Sequence, residues 1–156
     1  MAIEEGATLP DVELAMTRGG RVNLRDYAGH PFVLYFYPKD DTSGCTREAQ
    51  DFSRLAPEFG ALGCALLGVS RDSQARHRKF IDKYDLTVPL ASDDTGAATE
   101  AFGTWIEKQL YGKTYMGIDR STWLFDADGV LNRIWRKVRV PGHAEAELEA
   151  VGKLVK

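Results

Sequence analysis

The sequence predicts an α/β fold in one domain, with a mixed central β-sheet flanked by helices on both faces. Three observations carry that reading. Residues 31–38 (PFVLYFYP) form a continuous aromatic and β-branched run between two prolines, the pattern of a strand buried on both sides. Apolar positions at spacings of three and four follow it, and a second strand–helix pair comes next, which argues for parallel strands joined by a crossover helix. Further on, Asp126-Ala127-Asp128-Gly129 separates two strand-like runs and reads as a hairpin turn, adding antiparallel strands.

Taken in order, the central strand gives way to Asp40-Asp41-Thr42-Ser43-Gly44, a cluster of turn and cap residues. Ala49, Phe52, Leu55 and Phe59 then mark an amphipathic helix that starts near Cys45 and runs for about 14 residues. Pro57 is expected to kink or end it. Residues 64–70 (CALLGVS) read as a second buried strand, and His77, Phe80, Ile81 and Tyr84 as one face of a second helix with Ser73 as its N-cap. A short strand is expected at 87–90, a weak helix at 94–102 and a loop at 110–119. Strands at 121–125 and 130–140 flank the hairpin turn, and Ala144, Leu148, Val151 and Val155 stripe a final helix. This order of elements is the thioredoxin-like arrangement, an architecture that does not by itself specify a function.

Composition narrows the choices. With 156 residues, 44% hydrophobic and 28% charged, the chain suits one domain spanning 1–156. A net charge of −3 argues against non-specific nucleic-acid binding and against an electrostatic membrane anchor. Two cysteines, Cys45 and Cys64, do not make a disulfide-stapled scaffold, and with three scattered histidines they do not make a structural zinc site. Met1-Ala2-Ile3-Glu4-Glu5 lacks the pattern of a signal peptide, and no apolar run approaches the roughly 18 residues of a membrane span. A cytoplasmic setting with reduced thiols is the expectation.

Cys45 is the informative residue. It follows a buried strand and a polar turn and opens a helix, the side of such a sheet on which ligands bind. Unpaired N–H groups and the positive end of the helix dipole both favour thiolate over thiol, and the thiolate is the nucleophile. The plain alternative is a small buried apolar residue at a helix start.

Pro38-Lys39-Asp40-Asp41-Thr42-Ser43-Gly44-Cys45-Thr46 resembles the active-site stretch of peroxiredoxins, with Pro, Thr and Cys at the family's spacing. Tyr111-Gly112-Lys113 and Gly117-Ile118-Asp119-Arg120-Ser121-Thr122 resemble the PrxQ subgroup, also called bacterioferritin comigratory proteins. The likeness runs from Leu9-Pro10-Asp11 to Val140-Pro141-Gly142-His143, nearly the whole chain. It implies a thiol-dependent peroxidase acting on hydrogen peroxide and organic hydroperoxides. Cys45 would attack one peroxide oxygen and become a sulfenic acid. Thr42 would hydrogen-bond the thiolate and the peroxide, Arg120 would favour the thiolate and stabilise charge as the O–O bond breaks, and Pro38 would shield the sulfur from water. These donors serve without metal or organic cofactor. Each residue also has a plain structural reading: Thr42 as helix cap, Arg120 as surface residue, Pro38 as strand terminator.

The sequence departs from the subgroup where a resolving cysteine is concerned. The position five residues after Cys45 is Gln50, and the matching position in the next helix is Ile81. Cys64 is the remaining candidate, and it is expected to start a parallel strand at the far edge of the sheet, beyond the reach of a disulfide. A one-cysteine mechanism follows, with thioredoxin, glutaredoxin or a small thiol as the external reductant and a monomer or weak homodimer as the assembly. An atypical two-cysteine peroxidase using Cys64 is the alternative.

Readings from other classes are weaker. Residues 123–131 (WLFDADGVL) match the nucleophile motif of haloacid-dehalogenase-type phosphatases, but too few residues follow for that core. Arg133, Arg136, Lys137 and Arg139 around Trp135 suggest a non-catalytic binding module, yet suit a solvated strand edge better. A thioredoxin-like oxidoreductase needs a second cysteine where Glu48 stands. His30, His77 and His143 have no mutual ligand spacing and are assigned no catalytic role.

Overall fold

The apolar run at 31–38 does form the central strand, β3 (Phe32–Phe36), all five of its residues buried. The computed structural model describes residues 2–155. Before β3 lie β1 (Glu13–Met16), β2 (Arg21–Asn23) and a 3-10 turn at Leu24–Tyr27. After it come α1 (Ser43–Ala61), β4 (Ala65–Ser70), α2 (Gln74–Tyr84), β5 (Leu90–Ser92) and α3 (Ala97–Ala101). The chain continues through β6 (Trp105–Leu110), β7 (Lys113–Ile118), β8 (Ser121–Phe125) and β9 (Leu131–Trp135) to α4 (His143–Leu154). Among the described residues a seven-stranded sheet runs β2-β1-β5-β4-β3-β8-β9, and β6 and β7 form a separate hairpin. β3, β4 and β5 are parallel neighbours, whereas β8 and β9 pair antiparallel, as do β1 and β2.

Alternation along β3 divides the core. Phe32, Leu34 and Phe36 face a cluster with Phe102, Trp123 and Phe125, beside α3 and the 3-10 turn. Val33 and Tyr35 face a second cluster with Phe52 and Phe59 of α1, Phe80 of α2 and Val151 of α4. Helices thus cover both faces of a mixed sheet, as the sequence predicts. Each large side chain so buried contributes about 1.5–3 kcal/mol. Gly68 of β4 is required by this packing, because a Cβ there would fall 2.6 Å from the Tyr35 ring and 2.8 Å from Leu90.

Several elements differ from expectation. α1 spans 19 residues and runs through Pro57 to Ala61. Proline removes the hydrogen bond to the carbonyl four residues earlier, and here that Ser53 carbonyl accepts from Thr87 Oγ1 at 3.2 Å. Ser53 Oγ in turn accepts from the backbone N–H groups of Thr87 and Val88, both at 3.0 Å. A tertiary clasp therefore replaces the lost helical bond. The expected loop at 110–119 is most of a hairpin, turned at Tyr111 (φ 52°) and Gly112 (φ 76°), the positive pair that a tight two-residue turn needs. The last strand ends at Trp135, well short of residue 140. β1 and β2 have no counterpart in the sequence prediction. Ser73 caps α2 as expected, accepting from Arg76 N at 3.2 Å.

The phosphatase-like stretch is a turn between β8 and β9. Asp126 Oδ1 accepts from the N–H groups of Asp128 and Val130 at 2.9 and 3.0 Å, so its carboxylate serves the backbone. The basic residues lie on or after the edge strand β9, where Arg133 stacks on Trp135 and Arg136 pairs with Asp119. Among the described residues no helix is long and apolar enough to cross a membrane.

One buried polar pair lies beneath α4. Thr122 Oγ1 and His143 Nε2 are 2.8 Å apart, and Glu147 lies 3.7 Å from the same nitrogen. Glu147 is fully buried and neither of its oxygens has a hydrogen-bond partner among the described residues. Burial raises its carboxyl to about 9, against a weaker pull from Arg133, and burial lowers His143 to about 4. A carboxyl raised on folding stabilises at low pH and loses that contribution as pH rises from its unfolded value toward about 9. Glu147→Gln is therefore expected to gain more thermal stability relative to the parent at about pH 8 than at about pH 5. Melting curves at the two pH values check this, and an equal change at both would contradict it.

Candidate active site

The register of the sheet brings the site together. β3 and β8 are antiparallel, with Phe36 opposite Ser121, so the end of β3 and the start of β8 share one edge. Arg120 immediately precedes β8, and its carbonyl is pinned by Val138 N at 3.0 Å. Cys45 lies in the first turn of α1, just beyond the end of β3, and is 2% exposed.

The Arg120 guanidinium forks between two partners. Nη2 donates to Cys45 Sγ at 3.2 Å and Nη1 donates to Glu48 Oε1 at 2.6 Å. Burial is the largest influence on Arg120 and lowers its pKa, but the Glu48 carboxylate and the Cys45 sulfur together leave it raised. Glu48 is 1% exposed and its Oε2 has no partner among the described residues. Burial lifts its carboxyl to about 7 despite the downward pull of Arg120. Gly44 makes room for the fork: a Cβ there would sit 3.1 Å from Arg120 Nη2.

Thr42 is the N-cap residue of α1, but its side chain makes no capping bond. Its hydroxyl instead donates to the Lys39 carbonyl at 2.9 Å, and its own carbonyl accepts from Thr46 N. Thr42 thus leaves the first-turn N–H groups of α1, beside the Arg120 fork, uncapped by its side chain. Pro38 is half-buried at the start of the same loop.

α2 fastens this loop at two points. The buried Asp40 accepts from the Tyr37 hydroxyl at 2.6 Å and faces His77 Nδ1 at 2.6 Å. Its backbone N–H donates to Asp72 Oδ2 at 2.8 Å. Asp41, held at φ 59°, accepts from Lys83 Nζ at 2.8 Å and from the Tyr84 hydroxyl at 2.6 Å. Asp40, Asp72 and His77 bring three metal-ligand atoms within 4.8 Å of one another, but hydrogen bonds inside the protein already occupy them. His77 is a strut of the loop.

Cys64 lies elsewhere. It directly precedes β4, whose Ala65 pairs with Phe32 at the opposite end of β3 from Cys45. Five strand residues separate those ends, roughly 15 Å, where a disulfide needs Cα atoms within about 7 Å. Burial pushes the Cys64 thiol up to about 12. Both cysteines are free and buried.

Glu48, which in the sequence only occupies the place of a second cysteine, and Gly44 are site residues that the sequence alone does not single out. A signal for Glu48 existed, since a residue three positions along a helix shares the face of Cys45. The structure brings Cys45 and Arg120 together, places Thr42 and Pro38 on the loop beside them, and leaves Cys64 apart.

A cysteine in the first turn of a helix, contacted by a half-buried arginine at the end of the central strands of a thioredoxin-like sheet, defines a thiol-chemistry site. The AhpC/TSA family profile matches residues 6–134. Peroxiredoxin Bcp of Xanthomonas campestris pv. campestris is 46% identical over 149 residues, covering 96% of this chain and 93% of that protein. Peroxiredoxin Bcp of Bacillus subtilis is 47% identical over 151 residues, covering 97% and 96%. A solved structure of the X. campestris bacterioferritin comigratory protein, described for its alkyl peroxide reduction activity, superposes with a TM-score of 0.90 at 44% identity and covers all of both chains. The chain belongs to the AhpC/TSA family, in the Bcp or PrxQ group of peroxiredoxins. It is a thiol-dependent peroxidase.

Proposed function

We propose that Cys45 is the peroxidatic nucleophile of a one-cysteine mechanism. The Cys45 thiolate attacks the nearer oxygen of a hydroperoxide, an S–O bond forms as the O–O bond breaks, and the departing oxygen leaves as water or an alcohol after taking one proton. The product is a Cys45 sulfenic acid. Hydrogen peroxide and, by analogy with the X. campestris relative, alkyl hydroperoxides are the substrates.

The observation that carries this reading is the Arg120 fork. One Nη–H points at the sulfur, where charge is greatest before attack and leaves as the O–O bond parts. Glu48 orients that guanidinium from the other side. Thr42, whose proton is committed to Lys39 O, offers lone pairs that accept the O–H of an incoming hydroperoxide. Pro38 and the buried setting of Cys45 limit the access of bulk water.

Reduction comes from outside. An external thiol converts the sulfenic acid to a mixed disulfide with release of water, and a second thiol regenerates Cys45. The separation of Cys64 and its upward-shifted thiol support this order over an internal disulfide. A reducing cytoplasmic setting and a monomer or weak homodimer accord with it.

Mass spectrometry after one equivalent of peroxide tests the proposal. One added oxygen on the Cys45 peptide, with Cys64 still alkylatable, is the expected product. A Cys45–Cys64 disulfide as the main species overturns it.

A further inference from the structure

A cleft of about 410 Å³ opens between the loop after β3 and the β6–β7 hairpin, and shares with the site Pro38 and Lys39, whose carbonyl holds Thr42. It lies within the roughly 300–1,000 Å³ of small-molecule sites. Pro38 and Lys39 form one wall, and Trp105, Lys108, Tyr115 and Met116 another. Tyr115 and Met116 are 47% and 49% exposed, so an apolar surface stands open there.

The charges of the cleft have one sign once internal partners are counted. Arg71 is engaged, stacking 3.6 Å from the Trp105 ring centroid and donating twice to Thr99 Oγ1. Asp72 is engaged too, accepting from Ser70 Oγ and Asp40 N and pairing with Arg76 at 3.2 Å. Lys39 and Lys108 have no ion-pair partner among the described residues, which leaves two free ammonium groups. Lys108 lies across Gly117, where a Cβ would sit 3.2 Å from its Cδ. Burial holds Lys108 below the usual lysine range; Asp119 pulls it up, Arg120 pushes it down, and the Cys45 sulfur pulls it up.

Resting on the one-cysteine reading, we propose that this cleft admits the reductant, and that the reductant is a small thiol bearing a carboxylate. Hydroperoxides such as hydrogen peroxide are uncharged and gain little from two free cations. A carboxylate-bearing thiol gains from both, lays its stem on Tyr115 and Met116, and meets a local positive field on a protein whose net charge is −3. Its sulfur attacks the Cys45 sulfenic sulfur; an S–S bond forms, the S–O bond breaks, and the hydroxyl leaves as water with the thiol proton. A second molecule of the same thiol attacks the mixed disulfide, giving the small-molecule disulfide and Cys45 thiol.

The test is single turnover on protein oxidised with one equivalent of hydrogen peroxide. Its decay is followed with 3-mercaptopropionate, an anion, and with 2-mercaptoethanol, which is neutral. Comparing variant with parent for each thiol cancels their intrinsic reactivities. The double variant Lys39→Gln, Lys108→Gln is expected to slow the anionic thiol by roughly five- to thirty-fold and the neutral thiol by less than about twofold. Raising the salt on the parent protein is expected to slow the anionic thiol selectively, a result that needs no variant to fold. Equal slowing of both thiols, or of neither, overturns the proposal. The underlying reading fails separately, by a Cys45–Cys64 bond present before any thiol is added.

Discussion

Cys45→Ser is expected to abolish peroxide consumption, a loss of at least about 10³-fold, while Cys64→Ser keeps most of it. The contrast follows from where each sulfur sits. Cys45 Sγ accepts a hydrogen bond from Arg120 in the first turn of α1, so its thiolate faces a fixed cation. Serine offers the same geometry but a far weaker nucleophile. Cys64 Sγ contacts only its own end of the sheet, donating to the Ala65 carbonyl at 3.3 Å, and burial holds it as the thiol. Serine there places a hydroxyl among Phe59, Leu66 and their neighbours. The cost is about 1–3 kcal/mol of stability, with little change in rate. Peroxide loss followed in the presence of excess reductant, alongside thermal melts, separates the two effects. Full activity in Cys45→Ser, or none in Cys64→Ser with the fold intact, contradicts the assignment.

Local chemistry explains which parts of the molecule were legible in the sequence. Residues 31–38 were readable because a strand buried on both faces has no polar position to blur it, and β3 has none. Cys45 was readable because a turn cluster and an apolar stripe bracket it. The β6–β7 hairpin was not readable, because only its base reaches the core, through Trp105 and Ile118. Its residues are mostly exposed, so no apolar alternation marks either strand, and Tyr111 occupies a turn position where Asn or Asp would have signalled it. Pro57 misled because the rule for proline in helices is local, whereas the Ser53 carbonyl is satisfied from Thr87, 34 positions away from it in sequence. Arg120 came from the family resemblance alone. Only the pairing of Phe36 with Ser121 shows why a residue 75 positions distant reaches Cys45. The partnership of Glu48 with that arginine is equally a product of the register.

Replacing Arg120 by leucine is expected to lower kcat/KM for peroxide by about 10²–10³, the loss usual for one fixed donor at a developing charge. Arg120→Lys is expected to recover only part of it. A single ammonium cannot reach Cys45 Sγ and Glu48 Oε1 as the planar fork does, at 3.2 and 2.6 Å. Leucine also leaves Glu48 buried without its cation, and the carboxyl, already raised to about 7, then takes up a proton. Glu48 itself gives the sharper test. Below about 7 it is protonated and the guanidinium charge is directed mainly at the sulfur; above about 7 the carboxylate shares that charge and adds a negative charge near the thiolate. Glu48→Gln keeps an oxygen to accept from Arg120 Nη1 while removing the titration. It is expected to stay within about tenfold of the parent and to flatten the rate profile between about pH 6 and pH 8. Glu48→Ala removes the acceptor as well, and its rate is expected to fall toward that of Arg120→Leu. A pH profile in Glu48→Gln that keeps the parent's inflection would place that titration on another group, and a Glu48→Ala rate equal to the parent's would show that Arg120 needs no strut.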